Sequence, residues 1–196
     1  MTDMSVTQIL FRDAEKTDAR KIAALYRLAA GGVADVVWDG LRKPDEDIIS
    51  AGARRFEREG EDVSFENCAI AECRGRPVGL LHAFHLHVDP DFDPATVTPA
   101  LRPYAELEQD DSYYIGGIAL DSDYRGRGIG TKMLRLAELR AMTRGISSMS
   151  LIAFEENEGS VRLYERLGYR TVDSRDIVPH PFIQYAGRAL LMVKEL

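Results

Sequence analysis

Apolar residues recur along this chain with two different periods, and the switches between them mark its elements. Thr7 to Asp13 alternates as a first strand would. Thr17 or Asp18 can cap a helix, and Ile22, Leu25, Tyr26 and Ala29 follow at helical spacing until Gly31-Gly32 stops the run. Val33 to Leu41 reads as an unusually apolar connection holding the only tryptophan, Trp38. A second helix is expected from Asp45 to about Glu59. Cys68–Cys73 and Val78–Val88 read as strands joined by a hairpin turn at Arg74-Gly75-Arg76-Pro77. Asp89 to about Asp111 is a polar, proline-bearing insertion with a helix near Thr98 to Leu107. Tyr113–Leu120 is a strand, and Ile129–Arg144 a helix that carries Met133, Leu136, Ala137 and Arg140 on neighbouring turns and ends at Gly145. Strands follow at Ser148–Phe154, Tyr169–Val172 and Gly187–Lys194. No repeat, low-complexity tract or linker interrupts this order, so residues 1–196 are read as a single domain. The mixture of strands and helices predicts an α/β arrangement of three layers around a mixed sheet.

Bulk properties narrow the class of function. A chain of 196 residues, 45% of them apolar, can bury a sizeable core. A formal net charge of −7 argues against nucleic acid as the main partner. No apolar run approaches transmembrane length, and the start Met-Thr-Asp-Met-Ser lacks the basic and apolar regions of a signal peptide, so a cytoplasmic protein with no membrane partner is expected. Cys68 and Cys73 give no disulfide framework, and their spacing on one strand sends them to opposite faces.

The most informative stretch is Tyr124-Arg125-Gly126-Arg127-Gly128-Ile129-Gly130-Thr131-Lys132. It joins an apolar strand to a helical pattern through alternating glycines, and free N–H groups at a helix start favour an anion. The glycine spacing does not fit the dinucleotide fingerprint, and Lys132 follows Thr131 rather than preceding a Ser or Thr, so the nucleotide-triphosphate loop fails as well. A glycine-rich turn capping an ordinary helix is the plainer alternative. A second segment, Asn157 to Tyr169, has an N-cap in Asn157, a helical repeat in Val161, Tyr164 and Leu167, and a terminating Gly168.

Arg125-x-x-Gly128-x-Gly130 resembles the pyrophosphate loop of the GCN5-related N-acetyltransferases (GNAT), which bind acetyl-coenzyme A. Asn157, the small Ser160, Leu163-Tyr164 and Leu167-Gly168-Tyr169 are similar to a second pattern of that family, in the family's order. The likeness runs over roughly residues 6 to 195 and is specific from Ile115 to Tyr169. Ser122 stands where the family often carries proline. The resemblance implies a three-layer α/β/α fold whose central mixed, mostly antiparallel sheet is splayed at its middle, between Tyr113–Leu120 and Ser148–Phe154. It implies that the backbone of Ile118, Ala119 and Leu120 meets the pantetheine arm of acetyl-CoA. Arg125, Gly126, Arg127, Gly128, Ile129, Gly130 and Thr131 would cradle the pyrophosphate, with Asn157 and Ser160 as further cofactor contacts. Acetyl transfer to a primary amine of a small molecule or peptide is the implied activity, with a homodimer possible. A non-catalytic acyl-CoA sensor and a partner-binding domain whose glycines only make turns are the alternatives.

Chemistry then assigns roles. A thioester is already activated, so the amine attacks directly, and the departing thiolate needs a proton. A thiol near pKa about 8.5 and a tyrosine near about 10 make a tyrosine beside the sulfur a competent donor, and Tyr164 stands at the family's general-acid position. The base is open among Glu106, Glu108, Asp110, Asp111 and a water, against a plain solvated acidic loop. His85 and His87 share a strand face as a solvated pair, a base or half of a metal site, but no third ligand stands in obvious register, so no metal is expected. His82 falls on the apolar face as a core histidine whose hydrogen bonds are satisfied. The resemblance also implies that Val36, Val37, Trp38 and Asp39 and the late loop Ile177 to Phe182 border the acceptor, with Trp38 and Phe182 as walls or as loop residues packed on the core.

Overall fold

The computed structural model describes residues 8–196, so Thr7, expected to open the first strand, lies outside the described residues. The elements are β1 (Ile9–Asp13), α1 (Ala19–Ala29), α2 (Val33–Asp39), α3 (Ile48–Phe56), β2 (Cys68–Cys73), β3 (Arg76–Leu86), α4 (Arg102–Ala105), β4 (Ser112–Leu120), α5 (Ile129–Thr143), β5 (Ser148–Phe154), α6 (Glu158–Arg166), β6 (Arg170–Asp176) and β7 (Arg188–Glu195), with short 3₁₀ turns between some of them. The strands form one sheet of order β1-β2-β3-β4-β5-β7-β6. Every neighbouring pair is antiparallel except β4–β5. The expected mixed, mostly antiparallel α/β sheet is therefore the observed one.

Two helical layers sandwich this sheet. α1 and α3 bury Ile22, Leu25 and Phe56 against Cys68, Ile70 and Leu80. On the other face α5 and α6 set Met133, Leu134, Ala137 and Tyr164 against Tyr113, Ile115, Leu151 and Met192. Fully burying a leucine or phenylalanine contributes about 1.5–3 kcal/mol, so these two clusters dominate the fold. Cys68 and Cys73 are free, buried and divided between the layers, as their odd spacing requires. Asp18 precedes α1 but does not cap it with its side chain; its carboxylate instead takes Arg12 at 2.7 and 2.9 Å. Asp47 does cap α3, accepting the Ser50 N–H at 3.0 Å.

One sequence expectation is overturned. Val33 to Asp39 is a helix, α2, not an apolar connection. Ala34 and Trp38, one turn apart, are buried with Asp35, and the Trp38 ring fills the space above Gly52, where a Cβ would meet it at 2.7 Å. Asp35 is buried because Arg27 reaches it at 2.6 Å. Packing of that face outweighs the low helix preference of the β-branched residues.

A bulge in β4 positions the site. The β3–β4 register shifts between His82 and Ala83, opposite Gly116. Before it Tyr113 and Ile115 face α5; after it Ile118 and Leu120 do, while a Cβ on Gly117 would meet Tyr26 and Ala29 of α1. The extra residue thus reverses the alternation along the strand. β5 pairs with β4 only from Tyr113↔Met149 to Ile115↔Leu151. Beyond that point the two strands diverge.

Candidate active site

Where β4 leaves the sheet, the chain makes a 3₁₀ turn at Ser122–Tyr124 and enters α5 through the glycines. Gly126 and Gly128 have φ of 71° and 75°, and a Cβ on either would meet nothing within 4 Å. Backbone handedness, not lack of room, selects glycine there. The first main-chain bond of α5 is Lys132 N–H to the Gly128 carbonyl at 3.2 Å. The N–H groups of Ile129, Gly130 and Thr131 precede it and have no acceptor within the helix, at the positive end of a fifteen-residue dipole. The Arg125 N–H is not among these donors, because it is used by the Ser122 carbonyl at 3.2 Å. Arg125 instead turns its side chain back, Nε donating to the Leu120 carbonyl at 3.0 Å.

The cradle opens into a cleft of about 620 Å³ between the divergent ends of β4 and β5. Ile118, Ala119, Leu120, Arg125, Gly126, Gly128, Ile129, Gly130, Thr131, Asn157, Ser160 and Tyr164 all line it. Arg127 does not; its guanidinium lies over the Tyr124 ring, 5.7 Å from the centroid. Sequence reasoning missed Leu28 and Ala29 of α1, Phe154 of β5, Leu163 and Arg166 of α6, and Tyr185. Leu28 carried a signal, since it is a large apolar residue on the polar face of α1, 56% exposed.

Register shows which main-chain groups face the cleft. The Asp121 N–H bonds the Val78 carbonyl at 2.9 Å, so Asp121 and Val78 are a bonded pair of the β3–β4 ladder. Bonded and non-bonded pairs alternate, so the groups of Leu120 and of Ile118, opposite Gly79 and Leu81, turn away from β3 toward the divergence. The same rule applies to β5. Glu155 bonds Arg188 at 2.9 Å, so Phe154 turns its N–H away from β7 toward β4. Two half-dressed strand edges therefore face each other across the opening.

Tyr164 sits where the cleft floor meets the sheet, 8% exposed, its ring edge-on to Tyr169 at 5.9 Å. Burial pushes its phenol up to about 12, an effect tempered by the Ser160 side chain. It therefore keeps its proton throughout the physiological range. Asn157 caps α6, its side-chain oxygen accepting the Ser160 N–H at 3.3 Å.

On the expected acceptor side, the second of the two readings holds for Trp38. Trp38 is 2% exposed and belongs to the core. Val36 and Val37 do border an open depression of about 440 Å³, with Arg55, Arg58, Thr98 and Leu101. Phe182 is half-buried, and His180 lies beside it at 5.4 Å between ring centroids. Of the acidic candidates, Glu106 is held by Arg175 at 2.9 Å, Asp110 by the Val88 N–H at 2.9 Å and Asp111 by His85 at 2.7 Å. Glu108 alone has no hydrogen-bond or ion-pair partner among the described residues, and although its surface is exposed, partial burial and then Asp62 push its carboxyl up. His82 is only half satisfied. Its Nε2 pairs with the Asp62 carbonyl at 2.9 Å, but its buried Nδ1 has no partner among the described residues.

The sequence comparison gives the family and the structure comparison the fold. The model of the acetyltransferase (GNAT) family matches residues 38–169. An acetyltransferase of Pectobacterium atrosepticum is 36% identical over 62 residues, 32% of this chain and 42% of its own length. The chain thus spans less than half of the curated relatives it matches first. An N-acetyltransferase structure from Staphylococcus aureus superposes with a TM-score of 0.62 at 18% identity, covering 94% of this chain and 99% of the other. A GNAT family acetyltransferase from Elizabethkingia anophelis, solved with acetyl-CoA bound, superposes with a TM-score of 0.57 at 16% identity, covering 96% and 98%. At these identities the structures speak for the fold, while the family model, spanning two thirds of the sequence, speaks for descent: the chain belongs to the GNAT acetyltransferase family.

Proposed function

We infer that this protein transfers an acetyl group from acetyl-CoA to an amine by direct attack. The observation that carries the reading is the continuity of one cleft from the α5 N-terminus, along the facing edges of β4 and β5, to the Tyr164 phenol. A diphosphate suits the free N–H groups of Ile129, Gly130 and Thr131, and the terminal nitrogens of Arg125 are free to meet it. An amide-bearing arm suits the exposed N–H and carbonyl of Ile118 and the Leu120 N–H on one side, the Leu120 carbonyl being taken by Arg125 Nε, and the Phe154 N–H on the other. The thioester then falls at the inner end, beside Tyr164.

Holding both reactants in one cleft supplies much of the rate, because the attack becomes effectively unimolecular. The amine attacks the thioester carbonyl carbon, and the carbon–sulfur bond breaks with its electron pair on sulfur. Tyr164 hydrogen-bonds the developing thiolate and returns a proton to it. At about 12 the phenol is a weaker acid than an aqueous thiol, so its transfer is favourable only to a sulfur desolvated like itself. The amine proton goes to a carboxylate or through a water, and Glu108 is the carboxyl left without a competing partner.

The acceptor is a cationic amine on a small molecule or peptide, drawn by the acidic balance of the chain. Calorimetric titration with coenzyme A, followed by an acetyl-CoA and amine panel read out as free thiol, tests the reading. Saturable binding with thiol release only when an amine is present supports it. Binding without turnover on any amine leaves the acyl-CoA sensor, and no binding removes both. Glu108→Gln should lower turnover and leave coenzyme A affinity unchanged.

A further inference from the structure

At the end of the sheet remote from the cleft, the structure supplies the third ligand that the sequence lacked. His85 lies near the end of β3 and His87 just beyond it, their rings 4.0 Å apart between centroids. Asp111 immediately precedes β4, and its Oδ1 lies 2.7 Å from His85 Nε2. One ligand atom from each of the three residues lies within 4.8 Å of the others. His85 is half-buried and the other two are exposed, so an ion can enter. We propose that His85, His87 and Asp111 bind a divalent first-row transition ion of the Zn²⁺ class, which clamps the neck of the 88–110 excursion.

The geometry suits such an ion. Two imidazole nitrogens and one carboxylate oxygen at about 2.0–2.2 Å from a tetrahedral centre leave the fourth position to water. Ligand atoms so placed stand about 3.4 Å apart, so the His85–Asp111 contact opens by under about 1 Å to admit the ion. Nitrogen ligands favour zinc, cobalt, nickel or copper over magnesium and calcium, which prefer oxygen. Neither Cys68 nor Cys73 competes, since both are buried elsewhere. Asp111 and Ile118 are seven positions apart, about 20 Å along an extended strand, so the site is distinct from the cleft.

Position gives the ion its role. The excursion leaves the sheet at His87 and returns at Asp111, and its neck is already pinned by the Val88 N–H on Asp110. Within it, Thr98 and Leu101 border the depression beside Val36 and Val37, and the Tyr104 ring lies edge-on to Phe154 at 6.1 Å. A metal at the neck fixes that wall.

The test uses tag-free, chelator-treated full-length protein and zinc chloride in a calorimeter, with thermal melting in parallel. One-to-one saturable binding is expected, with a rise in melting temperature. His87→Ala and Asp111→Asn, both at exposed positions, should each weaken binding at least about tenfold and abolish the thermal shift. Magnesium chloride at the same concentration should do neither. Absence of saturable binding, or binding that both variants retain in full, overturns the site. A zinc effect reproduced by magnesium overturns the assignment of ion class.

Discussion

Gly32 lies flat against the main chain of Phe182: a Cβ added at Gly32 would stand 1.8 Å from the Phe182 carbonyl oxygen. This contact docks the loop before β7 onto the turn between α1 and α2, and the Gln184 N–H seals it on the Gly31 carbonyl at 2.9 Å. The next residue, Tyr185, stacks on Phe154 at 4.4 Å with the planes 17° apart and enters the cleft lining. Gly32 also has a φ of 95°. Gly32→Ala should therefore cost about 2–4 kcal/mol through clash and backbone strain, read as a lower urea midpoint. An unchanged midpoint would mean that the loop does not hold this position in solution.

Tyr164→Phe removes the phenol and keeps the ring against Tyr169. Turnover should fall about 10²-fold or more, with the coenzyme A dissociation constant unchanged. Because the phenol of the parent protein is held up to about 12, the parent rate should show no loss attributable to Tyr164 between pH 7 and 10. Steady-state rates across that range check both statements, and equal turnover by the variant removes Tyr164 from the reaction.

The two arginines of the cradle should separate. Arg125 lines the cleft and is tied to the Leu120 carbonyl, whereas Arg127 lies over Tyr124 and away from it. Arg125→Ala should weaken coenzyme A binding by about tenfold, the loss of one charge-assisted contact, and Arg127→Ala by less than about threefold. Titration calorimetry of both variants decides, and a larger loss from Arg127 would reverse their roles.

His82 makes stability depend on pH. Burial, opposed in part by the Asp62 carbonyl, lowers its value from 6.5 to about 4. The unfolded chain therefore takes up the proton first. The contribution of neutral His82 is complete above pH 6.5 and is lost as the pH falls toward 4. The full loss is about 3 kcal/mol. His82→Gln should flatten the fall in urea midpoint over this window, while Asp18, whose carboxylate Arg12 holds below its ordinary 3.8, acts only at lower pH.

How far the sequence foretold the molecule depended on whether a signal was local. The glycine turn into α5 was legible because handed glycines and an orphaned helix start are properties of consecutive residues. The short helix capped by Asn157 and carrying Tyr164 was legible for the same reason. α2 was not, because three valines in Val33–Asp39 mask the burial of Ala34, Asp35 and Trp38, which only contact with Gly52 and Arg27 explains. Half of His82 was missed because its Asp62 partner lies twenty residues away and its Nδ1 abuts Gly116, where a Cβ would stand at 2.7 Å. Asp111 escaped as a neighbour of His85 because 26 residues of chain separate them.

Only three registered residue pairs join β4 to β5, and every other ladder in the sheet is antiparallel and longer. The sheet is thus two panels on a short seam. A cofactor whose amides bond both facing edges would serve as the missing stitching. Its binding free energy would then add to the stability of that seam. Amide protons on either side should become slow to exchange together when coenzyme A is saturating, and such a protein would age in the cell at a rate set by its cofactor supply.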